Sequence, residues 1–122
     1  MNIRIITQAF YGNRTRTEIN RKDVDRFILG YLDESVNMTE KVDRTIIGVP
    51  NTDNIVIVYN KYQEAECLNR KNNGHKAKPL AVIPENNIKI YSRCIACRIN
   101  EDGELESLQS GDFGKVKKYF AE

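Results

Sequence analysis

The sequence predicts an α+β domain: a mainly antiparallel sheet of about five to six strands with two helices packed on it. Three observations carry that expectation. Short β-branched runs bounded by turn residues recur along the chain, two stretches switch to a helical period, and hairpin signals stand at Pro50-Asn51-Thr52-Asp53 and at Asp102-Gly103.

Taken in order, residues 2–10 place Ile3, Ile5, Thr7 and Ala9 on one face and Arg4, Ile6, Gln8 and Phe10 on the other, which predicts a first strand with a partly buried second face. Tyr11 to Arg16 is read as a turn-rich loop with two arginines behind the aromatic pair Phe10-Tyr11. From Asn20 the period changes. Val24, Phe27, Ile28, Tyr31 and Leu32 fall at i, i+3, i+4, i+7 and i+8, an amphipathic helix with Asn20 as N-cap and Asp23 near the positive end of its dipole. After a polar connector over 35–41, Val42 to Val49 and Asn54 to Asn60 predict a hairpin. Its second strand, Ile55-Val56-Ile57-Val58, has no polar alternate and is expected to be covered on both faces. Lys61 to Leu68 is expected to make a short helical turn, and residues 69–78 to form a basic loop. Leu80 to Ile83 reads as a short strand.

The run Ile88 to Ile99 reads as one strand whose phase is not uniform. Ile88 and Ile90 share one face, whereas Ile95, Cys97 and Ile99 share the other, with the crossover at Ser92-Arg93. This predicts either burial on both faces or a bulge that re-aims the chain beside Arg93. Asp102-Gly103 returns Glu104 to Leu108 antiparallel to its end. A closing helix from about Asp112 carries Phe113, Val116 and Phe120 on one stripe, capped by Ser110 or Asp112, with Lys115, Lys117 and Lys118 toward solvent.

A chain of 122 residues with 40% hydrophobic and 30% charged residues is expected to form a single domain, 1–122, with a substantial core. No apolar run approaches the ~20 residues of a membrane span, and the N-terminus lacks a long apolar core, so a cytoplasmic protein is expected. A net charge of +2 is too small for a protein that coats DNA or RNA. Three cysteines cannot all pair within one chain, so reduced thiols are expected.

Cys67, His75, Cys94 and Cys97 supply four potential zinc ligands, and a zinc-stapled nucleic-acid module is one reading of them. Against it, residues three apart on a strand project to opposite faces, and no turn residue lies between Cys94 and Cys97 to form a knuckle. They are read instead as small buried hydrophobes, with no metal or other cofactor expected. His75 is the single histidine, and no phosphate loop or nucleophile elbow occurs, so catalysis is not expected. The remaining chemistry is cationic. Arg14, Arg16, Arg93 and Arg98 offer planar forks for phosphate, and Tyr11 and Tyr91 offer stacking faces for a base; these six are the candidate ligand-binding residues. For each arginine the plain alternative is a structural ion pair with a nearby carboxylate.

Over nearly its whole length the chain resembles the small phage-encoded Thoeris anti-defence proteins of the first type. The resemblance lies in its size, the opening strand and capped helix, the segments Val42-Asp-Arg-Thr-Ile-Ile47 and Asn54-Ile-Val-Ile-Val-Tyr-Asn-Lys-Tyr62, the stretch Lys78-Pro-Leu-Ala-Val-Ile-Pro84 followed by Ile88-Lys-Ile-Tyr-Ser-Arg-Cys94, and the closing Asp112-Phe-Gly-Lys-Val-Lys-Lys-Tyr-Phe120. It implies a non-enzymatic sponge in the infected bacterial cell. Such a sponge binds a cyclic ADP-ribose signal made by TIR-domain enzymes and assembles as a homo-oligomer. The alternative expectation is a small inhibitor or immunity-type protein that binds a protein partner through its charged face.

Overall fold

The computed structural model describes residues 2–8, 15–32, 44–61, 64 and 79–120. Strands β1 (Asn2–Gln8), β2 (Thr15–Asn20), β3 (Arg44–Gly48) and β4 (Ile55–Asn60) are followed by the short β5 (Ala81–Ile83) and β6 (Ile88–Ile90), then β7 (Cys94–Ile99) and β8 (Leu105–Glu106). Six of them form one antiparallel sheet in the order β2-β1-β7-β4-β3, with β8 also on β7, while β5 and β6 pair as a separate ribbon. Helix α1 (Val24–Leu32) packs on one face of the sheet, and the ribbon and the short helix α2 (Asp112–Val116) pack on the other. The fold is thus α+β with a mainly antiparallel six-stranded sheet.

The two faces hold separate cores. Ile3, Ile5, Ile19, Val56, Val58, Ile95 and Cys97 meet Val24 and Leu32 of α1. Ile6, Ile55, Ile57, Tyr59, Cys94 and Ala96 meet Ile83, Ile90, Val116 and Phe120. All six residues of β4 are buried, as its unbroken apolar run predicts, because it lies between β3 and β7 with both faces covered.

Beside β7 the sheet changes partner. β1 pairs with its first half, from Ile6 opposite Ala96 to Gln8 opposite Cys94, and β8 pairs with its second half at Arg98 and Ile99. The chain after β8 then stays on β1: the Leu108 amide donates to the Arg4 carbonyl at 2.8 Å and the Arg4 amide to Ser107 Oγ at 2.9 Å. The β7–β8 turn is closed by Gly103 at φ 81°, a left-handed conformation natural to glycine, and by the Asn100 side chain, which accepts from the Asp102 and Glu104 amides.

Three sequence expectations are corrected. Ile88 to Ile99 is not one strand: the chain leaves the ribbon after Ile90, passes through Tyr91, Ser92 and Arg93, and enters the main sheet at Cys94. The phase change at Ser92-Arg93 therefore marks a change of sheet. Thr15 and Arg16, read as loop, begin β2, where Thr17 and Ile19 alternate with Arg16 and Glu18 in the period of an edge strand. Of the two helices expected, α1 alone is a full helix. At the C-terminal end a single α-turn runs into a 3-10 turn over Lys117–Tyr119, and Phe120 is already extended and bridges to Ala81. Asn20 caps as expected, accepting from the Lys22 amide at 3.0 Å, although a 3-10 turn over Arg21–Asp23 precedes α1.

Burial separates two isoleucines sharply. Ile57 is fully buried and Ile46 is 50% exposed on β3. Ile57→Ala should cost about 2–5 kcal/mol and Ile46→Ala no more than roughly 0.5 kcal/mol in urea unfolding, a ranking that equal losses would refute.

Candidate functional site

The first turn of α2 is held by two arginines that arrive from different strands. Arg98 on β7 meets Asp112 with two parallel hydrogen bonds, Nε to Oδ2 at 2.6 Å and an Nη to Oδ1 at 3.0 Å. Asp112 is almost fully buried and also accepts the Gln109 amide at 2.7 Å, so its carboxylate closes the turn that leads into the helix. The Arg98 bond holds Asp112 below the usual carboxylate range, and the same bond raises the Arg98 guanidinium. Gly111, at φ 90°, supplies the left-handed residue that the tight entry needs.

One residue further on, Phe113 receives the second arginine. The Arg16 guanidinium carbon, on β2, lies 3.9 Å from the centre of the Phe113 ring, a close cation–π stack. Between β1, β2 and the turn before α2 runs a groove of about 600 Å³, lined by Arg4, Arg16, Thr17, Glu18, Gln109, Ser110 and Phe113 among others. Arg4 and Glu18 face each other in it across a loose, well-exposed 3.8 Å pair. Glu18 is the groove's one carboxylate among the described lining residues. The groove thus offers a guanidinium stacked on a ring, a second guanidinium, and polar acceptors on its walls.

Of the six candidate ligand residues, Tyr11 and Arg14 lie outside the described residues. Arg16 and Arg98 are brought to neighbouring residues of the first turn of α2, but in different states: Arg16 is exposed at the groove, whereas the Arg98 fork is closed by Asp112. Arg93 serves the other side of the sheet, 5.4 Å from the ring centre of Tyr31 on α1. Tyr91 stands where the chain crosses between sheets, its amide donating to Glu64 Oε2 at 2.8 Å. The three described guanidiniums, Arg16, Arg93 and Arg98, therefore do not converge on one centre. Sequence reading missed Phe113, Arg4 and Glu18 as groove residues; the i, i+2 charges of a half-exposed edge strand and the Ser110-Gly111 break before Phe113 are the signals that bear on them.

Cys94 and Cys97 are fully buried and belong to different cores, Cys94 on the ribbon side and Cys97 on the α1 side, so one ion cannot reach both sulfurs. Burial raises both thiols, Cys97 to about 12. Cys67 and His75 lie outside the described residues. At the far end of α2, the Tyr119 hydroxyl donates to Glu85 Oε2 at 2.6 Å, fastening the 3-10 turn to the turn between β5 and β6. No family model, curated protein or solved structure matches this chain.

Two outcomes follow from these environments. In a Cys67→Ser background, the native protein should show almost no reaction with an aromatic disulfide reagent, and both remaining thiols should react once it is unfolded in urea; rapid native reaction would contradict their burial. Because the folded state depresses the Asp112 pKa, its contribution is present above the unfolded value of about 3.9 and is lost as pH falls through the lower folded value. Asp112→Asn should thus lower stability by about 2 kcal/mol near neutrality, with the difference from wild type shrinking below about pH 4 in urea titrations.

Proposed function

We propose that this chain is a non-enzymatic nucleotide-binding protein that sequesters a cyclic ADP-ribose-type signal, and that the groove beside β2 is where the ligand sits. The observation that carries this reading is the Arg16–Phe113 stack at the groove wall. The ring holds the Arg16 guanidinium at the groove wall, where its N–H groups would make charge-assisted hydrogen bonds to a pyrophosphate. Arg4 supplies a second cation, and Glu18, Gln109 and Ser110 supply partners for ribose hydroxyls. A groove of about 600 Å³ falls within the range of small-molecule sites. The non-enzymatic part of the reading rests on chemistry: both described thiols are raised by burial in the cores, and the groove's described carboxylate is exposed beside Arg4 rather than desolvated for proton transfer.

A sponge acts by mass action. It lowers the free signal when it is present in excess and binds more tightly than the effector it protects against. Arg98 has no ligand role in this reading. Its carboxylate partner sets the helical turn that presents Phe113, and Arg93 and Tyr91 lie away from the groove.

Calorimetry with cyclic ADP-ribose isomers should show saturable binding, with a rise in melting temperature that grows with ligand concentration. Arg16→Ala should weaken it roughly 10–100-fold, the equivalent of about 1.5–3 kcal/mol for charge-assisted bonds. No heat and no thermal shift at saturating ligand would reject the proposal. Specific capture of a protein partner in its place would favour the inhibitor reading.

A further inference from the structure

We propose that Glu18 sets the specificity of the groove: it admits a ligand whose ribose hydroxyls are free and rejects one that carries a phosphate on its ribose. This role rests on the nucleotide reading of the groove and adds to it which nucleotides the site turns away. The register of β1 and β2 places Glu18 directly opposite Arg4, and Arg16 opposite Ile6. Alternation along the two strands then puts Arg4, Ile6, Arg16 and Glu18 on one face of the sheet, the face on which Ile6 enters the core beneath α2. Arg4 and Arg16 are diagonal neighbours on that face, with about 7–8 Å between such positions. Glu18 borders both, across the strand pair from Arg4 and two residues along from Arg16.

The groove thus carries two cations with an acceptor-only group beside both of them. A carboxylate in that position accepts from a hydroxyl and repels an anion. A pyrophosphate held by the two guanidiniums bears a ribose on each phosphorus through one oxygen and one methylene, which brings a ribose diol to the neighbouring carboxylate. Free hydroxyls donate to Glu18, the means by which an acidic residue selects an unphosphorylated ribose in dinucleotide sites, whereas a ribose phosphate would stand against a like charge. Glu18 is available for this. Its Oε1 lies 3.8 Å from Arg4 Nε, beyond hydrogen-bond length, and both side chains are largely exposed. A surface pair of this kind contributes little to stability, so a ligand that parts it loses little. Glu18 also competes with any phosphate for Arg4, which holds down the affinity of the groove for bare inorganic anions.

Calorimetry of the full chain with cyclic ADP-ribose and with cyclic ADP-ribose 2′-phosphate reads this selectivity as the ratio of two dissociation constants. The wild type should bind the 2′-phosphate at least roughly ten-fold more weakly, and Glu18→Gln, an isosteric change at an exposed position, should bring the ratio to about one. A folding defect would move both constants together and leave their ratio where it was. Inorganic pyrophosphate supplies a probe without a ribose, and Glu18→Gln should bind it several-fold more tightly than the wild type does. If cyclic ADP-ribose binds but the wild-type ratio is already near one, or the ratio survives Glu18→Gln, the role of Glu18 falls while the nucleotide reading stands. Pyrophosphate affinity that Glu18→Gln leaves unchanged would also overturn that role. If neither nucleotide binds, the nucleotide reading falls and the assignment to Glu18 falls with it.

Discussion

Four consecutive residues, Cys94-Ile95-Ala96-Cys97, are fully buried and feed two cores in alternation. A strand that exposes neither face must be covered on both, and this requirement sets the layers. α1 covers one side, and the β5–β6 ribbon with α2 covers the other. Small side chains at Cys94, Ala96 and Cys97 keep the layers close, since each occupies a position where a larger residue would have to displace packed neighbours. β1 and β4 flank this stretch and repeat the same two-sided pattern at Ile5–Ile6 and Val56–Ile57, so the cores run continuously across three strands.

The groove is a by-product of how the second layer is anchored. Its short α2 lacks the length to be stable on its own, so packing and its first-turn contacts must hold it. Val116 and Phe120 anchor its far end in the core, while Arg98–Asp112 and Arg16–Phe113 grip its start from two strands on either side of β1. The turn before α2 is carried along β1 by Ser107 and Leu108, which leaves a channel between that turn and β2. The turn that forms one wall of the channel is thus fixed at its entry into α2 by a buried carboxylate at Asp112 and, one residue on, by the exposed Arg16–Phe113 contact. A partly exposed fork bound bidentately to a buried carboxylate is a stronger constraint than a surface pair such as Arg4–Glu18.

Much of this architecture is legible in the residues. The unbroken apolar run of β4, the helical period from Val24 to Leu32, the Asn20 cap and the Asp102-Gly103 turn are local signals, and each is realised where it stands in the chain. What escapes is decided between distant segments. Ile88 to Ile99 satisfies strand propensity throughout, so propensity alone cannot reveal that Tyr91–Arg93 carries the chain from one sheet to another; the slipped phase is the local trace of that crossing. Thr15–Asn20 is too polar on one face to announce itself beside two arginines, and pairing with β1 along six residues is what makes it a strand. The C-terminal stripe reads as a longer helix because Phe113, Val116 and Phe120 fit a helical period, but the bridge from Phe120 to Ala81 draws the last turn into extended backbone.

The same divide governs the candidate site. Arginine is equally suited to phosphate and to carboxylate, and nothing in the residue itself says which it meets. The outcome depends on whether an acid of matching reach is buried nearby. Asp112 is such an acid for Arg98, and it accounts for both Nε and one Nη of that fork. Arg16 has the opposite surroundings: it faces an aromatic ring, which attracts the cation without consuming its hydrogen-bond donors. The distinction between a cation that builds the fold and one whose hydrogen-bond donors are left to a ligand therefore lies in what the neighbouring element presents. On α2, Asp112 and Phe113 present the two alternatives side by side.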